Sequence, residues 1–88
     1  MYSDKYSREL TKKLAKLKKK NFARYEKIDK KIKEILEKPK HEYKNLRYDM
    51  GGFKRVQIGH FVLIFRVDHQ NKIVWFDDYN YHDRIYKK

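Results

Sequence analysis

Phe61-Val62-Leu63-Ile64-Phe65, extended by Arg66-Val67, is an apolar run with no alternation. A strand with one wet face alternates apolar and polar residues, so a run of this kind predicts a central strand covered on both faces. It is far too short to span a bilayer, which takes roughly 20 apolar residues. The rest of the chain must therefore supply cover for two sides of a small sheet.

Upstream the apolar period is helical. Tyr6, Leu10, Leu14 and Leu17 recur at spacings of 4, 4 and 3 between Asp4 and about Lys20, with Lys12, Lys13, Lys16, Lys18, Lys19 and Lys20 at other positions. This predicts a basic amphipathic helix. Asn21 breaks or caps the chain, and Phe22, Tyr25, Ile28, Ile32, Ile35 and Leu36 then repeat at helical spacing up to Lys38-Pro39. The reading is an αα-hairpin over residues 1–38. One continuous helix is the alternative, set aside because a helix of about 35 residues outsizes so small a domain.

After Pro39 the period becomes extended. Tyr43 to Tyr48 is a short candidate strand, Asp49-Met50-Gly51-Gly52 has turn chemistry, and Phe53 to Ile58 is a second strand. Gly59-His60 turns or bulges into the central strand. Asp68-His69-Gln70-Asn71 is a polar hairpin loop, and Ile73-Val74-Trp75-Phe76 reads as another doubly covered strand. Trp75, Phe65 and Phe61 are expected in the core. The closing segment is polar and aromatic and ends in one helical turn. The fold class is thus α+β: one domain over residues 1–88, with an N-terminal αα-hairpin on a small, mainly antiparallel sheet of three to four strands (43–79) and a short C-terminal segment (80–88) carrying site residues. Arg66 shares strand parity with Val62 and Ile64, whereas Arg55 and Gln57 oppose Val56 and Ile58, which predicts a basic concave face away from the helices.

The 88 residues carry a formal +12, with 15 Lys and Arg against 6 acidic residues up to Lys40 and 9 against 6 beyond it. Fourteen aromatic residues (8 Tyr, 5 Phe, 1 Trp) are too many for a disordered basic tail. The chain has no Cys, which excludes thiolate metal sites and a Cys nucleophile and fits a reducing compartment, with the cytoplasm as the default location. P-loop, dinucleotide-binding and zinc-protease motifs are missing, and Ser3, Ser7 and Thr11 are the only hydroxyl residues besides Tyr. His82 with Asp77, Asp78 and Asp83 could in principle hold a divalent ion, but a short acidic patch of this kind is more often solvated, and no metal or other cofactor is expected.

What remains is a set of cations, imidazoles and phenols: Lys54, Arg55, His60, Arg66, Tyr79, Tyr81, His82, Arg84 and Tyr86. Such a set can cleave RNA without a metal. The adjacent 2′-OH is an internal nucleophile, and the protein has to move two protons and neutralise the phosphorane-like transition state. The helix lysines, Lys12, Lys16, Lys19 and Lys20 among them, are candidates for contact with ribosomal RNA; a solvated helix surface explains them equally well.

The segment from Phe53 to Val67, together with the order of elements, resembles the toxins of the RelE/ParE superfamily, in which a basic strand ending in a Gly turn leads into a strand of the type aromatic-Arg-x-x-aromatic. Tyr81-His82-Asp83-Arg84-Ile85-Tyr86 is similar to that family's C-terminal signature, a basic or His-containing cluster ending in x-[VI]-Tyr. The resemblance covers nearly the whole chain and implies a type II toxin. In the RelE branch this is an mRNA endoribonuclease acting on the ribosome, neutralised by a RelB-type antitoxin that is acidic and partly disordered when free. By the resemblance, Lys54 and Arg55 match the basic strand, His82 and Arg84 the C-terminal cluster, and Tyr86 the terminal Tyr. The implied roles are proton transfer for His82, charge neutralisation for Lys54, Arg55 and Arg84 with help from Arg66, and positioning of a base or phosphate for Tyr86. One departure is Val62, where the family has Arg. A ParE-like inhibitor of DNA gyrase, or a weak or inactive RNA-binding homologue, are the alternatives.

Overall fold

The computed structural model describes residues 1–46 and 52–86. Among them lie β1 (Ser3–Tyr6), α1 (Arg8–Lys20), α2 (Phe22–Glu37), β2 (Lys44–Asn45), β3 (Lys54–Ile58), β4 (Phe61–Asp68), β5 (Ile73–Tyr81) and α3 (His82–Tyr86). The helical hairpin breaks at Asn21 as expected. Its backbone N–H closes α1 onto Leu17 O at 2.8 Å, and its side-chain oxygen accepts from Arg24 N at 3.2 Å to cap α2. Ser7 caps the start of α1 by accepting from Leu10 N at 3.0 Å.

The described strands form one five-stranded sheet in the order β1-β5-β4-β3-β2. This corrects the expectation of three to four strands. The added strand is β1, four residues that pair parallel to β5 from Ser3↔Ile73 to Tyr6↔Phe76. The helical spacing of Tyr6 to Leu10 predicts that Asp4 to Tyr6 open the first helix, but these residues are extended and α1 starts at Arg8. The sheet is therefore mixed, the other pairings being antiparallel. The candidate strand Tyr43 to Tyr48 shortens to Lys44–Asn45, and its Tyr48 end and the Asp49-Met50-Gly51 turn lie outside the described residues. β5 runs past Phe76 to Tyr81, absorbing part of the expected closing segment, with an irregularity opposite Ile64/Phe65 that leaves Asp77 unmatched in the ladder.

β4 is the central strand, and Phe61 to Phe65 are all buried, as the run without alternation requires. On the helix side, Phe61, Leu63 and Phe65 with Val74 and Phe76 of β5 meet Leu10 of α1 and Ile28, Ile32 and Ile35 of α2. Each such side chain contributes on the order of 1.5–3 kcal/mol by leaving water. Gly59, at φ +64°, supplies the left-handed conformation for the two-residue turn between β3 and β4. Trp75 departs from expectation. It lies between the two core residues Val74 and Phe76, so strand alternation turns it away from the helices, and it is 40% exposed.

Candidate functional site

Strand alternation decides which of the predicted cations can meet. β3 pairs with β4 in the register Lys54↔Phe65, Arg55↔Ile64, Val56↔Leu63 and Gln57↔Val62. Leu63 and Phe65 belong to the helix-side core, so Lys54 and Val56 share that side, while Arg55 and Gln57 share the far side with Ile64 and Val62. Lys54 and Arg55, expected to act together on one phosphate, therefore stand on opposite sides of the sheet. Lys54 Nζ donates to Asn45 Oδ1 on its own side, in a hollow beside His41, Tyr43 and His69.

Arg66 follows Ile64 by two residues and is exposed on the far face. Arg55 and Arg66 are thus diagonal cross-strand neighbours, about 7–8 Å apart along the sheet with their Cβ atoms somewhat closer. Arg55 Nε donates to Asn45 O at 3.3 Å, and the Arg66 guanidinium lies 5.5 Å from the Phe53 ring centroid. Val62, at the position of the family's Arg, is fully buried between Gln57 and Asn80. Asp77 lies close enough to Arg66 to feel it. Its carboxyl is pushed up by burial and by neighbouring Asp78, and Arg66 partly offsets this.

His82 is exposed and opens α3, and its backbone N–H donates to His60 O at 2.9 Å. That end of the sheet is about 10 Å along β4 from the level of Arg55, three residues at 3.3 Å each. His60 is therefore the backbone neighbour of His82 at this end of the sheet. The Gly59-His60 turn in front of the central strand was the available signal. The side chains of Tyr86 and Asp83 lie outside the described residues. Among the described residues no three His, Asp or Glu side chains gather as a metal site. Asp78 instead accepts from Lys13 Nζ at 2.7 Å.

Arg84 is drawn elsewhere. With Lys13, Lys16, Lys20 and Arg24 it lines a groove of about 340 Å³ where α1 and α2 pass the end of β5. The groove has an aromatic wall: Tyr81 stacks on Phe61 at 4.4 Å, and the Arg24 guanidinium sits 4.3 Å from the Phe61 ring centroid. Lys12 and Lys19 are exposed, four residues before and three after Lys16, which puts them on the adjoining row of α1. The predicted cations therefore fall into two groups, Arg55 with Arg66 on the far face and Arg84 with Lys16 and Lys20 in the groove, with Lys54 in neither.

Comparison with known proteins settles the family. A family model described as the ParE toxin of the type II toxin–antitoxin system parDE matches residues 3–86. The chain belongs to this toxin family. Its resemblance to the RelE/ParE superfamily is upheld, and within that superfamily it is RelE-like. It is 47% identical over 89 residues to a protein of Methanocaldococcus jannaschii called "Putative toxin RelE4", covering 100% of this chain and 94% of the relative. An uncharacterised protein of Methanosarcina mazei is 48% identical over 87 residues, 98% of this chain and 100% of the relative. The toxin fold is also that of isolated E. coli RelE, with a TM-score of 0.77 at 22% identity over 92% of this chain and 84% of the other. The toxin–antitoxin complex RelBE2 of Mycobacterium tuberculosis matches with a TM-score of 0.68 at 18% identity, over 92% and 98% of the two chains. Among the described residues, no helix of this toxin is long and apolar enough to cross a membrane.

Proposed function

We propose that this toxin is an mRNA endonuclease acting on the ribosome in the cytoplasm, halting translation, and that a RelB-type acidic antitoxin neutralises it. The observation that carries the reading is the Arg55–Arg66 diagonal, which sets two permanent cations on the far face of a RelE-like sheet. The ribose 2′-oxygen attacks the adjacent phosphorus, its proton passes to a base, the bond to the 5′-oxygen breaks, and that oxygen receives a proton. His82 is the proton-transfer group, because an imidazole can serve as base in one step and as acid in the other. Arg55 and Arg66 hold the charge that builds on the phosphorane-like state. Tyr86 positions a base or the phosphate. Arg84 with Lys12, Lys16, Lys19 and Lys20 forms the more diffuse contact with ribosomal RNA.

Cleavage of a translated message in a purified ribosome system tests this. Arg55→Ala or Arg66→Ala should each lower the rate by about 10²–10³-fold. His82→Ala should cost about 10²–10⁴-fold. Lys54→Ala, on the other side of the sheet, should stay near the parent rate. Unchanged cleavage in both arginine variants would sink the site assignment. A second reading, inhibition of DNA gyrase, is favoured by one observation: the family's Arg position is the buried Val62. Loss of supercoiling activity by gyrase with no mRNA cleavage would select it.

A further inference from the structure

Trp75 is the chain's one Trp, and it is 40% exposed on the far face of the sheet. Its cross-strand neighbours explain what it could serve. On one side it pairs with Lys5 of β1, and on the other with Arg66 of β4. Paired residues in a sheet point to the same face, so these three side chains stand in a row about 4.8 Å from strand to strand. The Arg66 guanidinium then lies over the Phe53 ring. The row reads cation, aromatic, cation, aromatic across the sheet.

We propose that the row Lys5–Trp75–Arg66–Phe53 is a binding platform for single-stranded RNA, on which Trp75 stacks one base while Lys5 and Arg66 take the flanking phosphates. The proposal rests on the RNA reading of the far face and deepens it, because Arg66 belongs to both the row and the Arg55–Arg66 pair. The nucleotide stacked on Trp75 would therefore neighbour the scissile one. An exposed aromatic also suits a protein partner. The row favours RNA because its ring is bracketed by cations, the pattern that holds a strand through base faces and backbone together. A stacking platform without hydrogen-bonding edges tolerates any base and favours those that stack well, so it would set the position of cleavage along the message more than its sequence.

The lone Trp makes the test direct. Short oligoadenylate titrated into the intact chain should quench the tryptophan emission, and inorganic polyphosphate or polyglutamate at matched charge should not. By anisotropy of labelled oligoadenylate, Trp75→Leu should weaken binding about tenfold while Trp75→Phe keeps most of it. The salt dependence should separate the roles: its log–log slope is unchanged in Trp75→Leu and shallower by about one in Arg66→Ala. Equal quenching by polyglutamate, or parental affinity in Trp75→Leu, overturns the platform. The ribosome assay keeps the two claims apart. Quenching by RNA without mRNA cleavage leaves the platform standing and removes the reaction, and cleavage without quenching does the reverse.

Discussion

Lys54 and Arg55 are adjacent in the chain, and the pleat sends them to opposite sides of β3. In the sequence they are two equivalent basic side chains before a Gly turn; only the register against β4 separates them. Arg66 was legible in the other direction, because its parity with Val62 and Ile64 needs nothing beyond counting along one strand. Trp75 was misread because Ile73-Val74-Trp75-Phe76 is an unbroken apolar run, and composition cannot say that cover on the far side stops before β5 at this level. Asp77 offers a test at this scale. Burial and Asp78 raise its carboxyl above the ordinary 3.8, so the folded state binds its proton more tightly than the unfolded chain does. The stability tied to that proton is present below the unfolded value and lost as pH rises through the folded one. Asp77→Asn should therefore be more stable than the parent at pH 7 in urea unfolding, with the difference vanishing below about pH 4.

At the scale of elements, the helices and the central strand were readable because their signals are long: Leu10, Leu14 and Leu17, then Ile28, Ile32 and Ile35, then the run from Phe61. β1 was not, since four residues are too few to show a period and Tyr6 happens to fall on the helical one. What turns this segment from strand to helix is Ser7. Its N–H donates to Phe76 O at 3.0 Å, its hydroxyl oxygen accepts from Leu10 N, and the same hydroxyl donates to Asp77 O. One side chain thus caps α1 and ties it to β5. Ser7→Ala should cost about 1–2 kcal/mol, the cap plus one hydrogen bond. Asn21→Ala, which removes only the cap of α2, should cost about 1 kcal/mol. Chemical denaturation midpoints for both variants check the order, and a smaller loss for Ser7→Ala than for Asn21→Ala would refute the linking role.

For the whole molecule, the +12 charge divides between a lysine-rich helix surface and a small arginine face on the sheet, and the acidic groups that remain are partly spent on partners such as Lys13. Phenols make the fold sensitive to alkali. Tyr6 is pushed well up from 10.0 by burial and by its hydrogen bond to Asp4, and burial also raises Tyr43 and Tyr79. A raised phenol contributes stability below pH 10 that is lost as the unfolded chain ionises first, so unfolding free energy should fall from about pH 10 upward. Tyr6→Phe should flatten that decline in urea titrations at pH 9, 10 and 11, and an identical slope would show that Tyr6 carries none of it. The parallel pairing of β1 with β5 has a consequence in time. Its partners are seventy residues apart in the chain, from Ser3↔Ile73 onward. At synthesis rates of about 5–20 residues per second, α1 and α2 can form while β1 waits seconds for a neighbour. The face that holds Lys5, Trp75 and Arg66 therefore comes together late on the nascent chain, after most of the time it takes to build has passed.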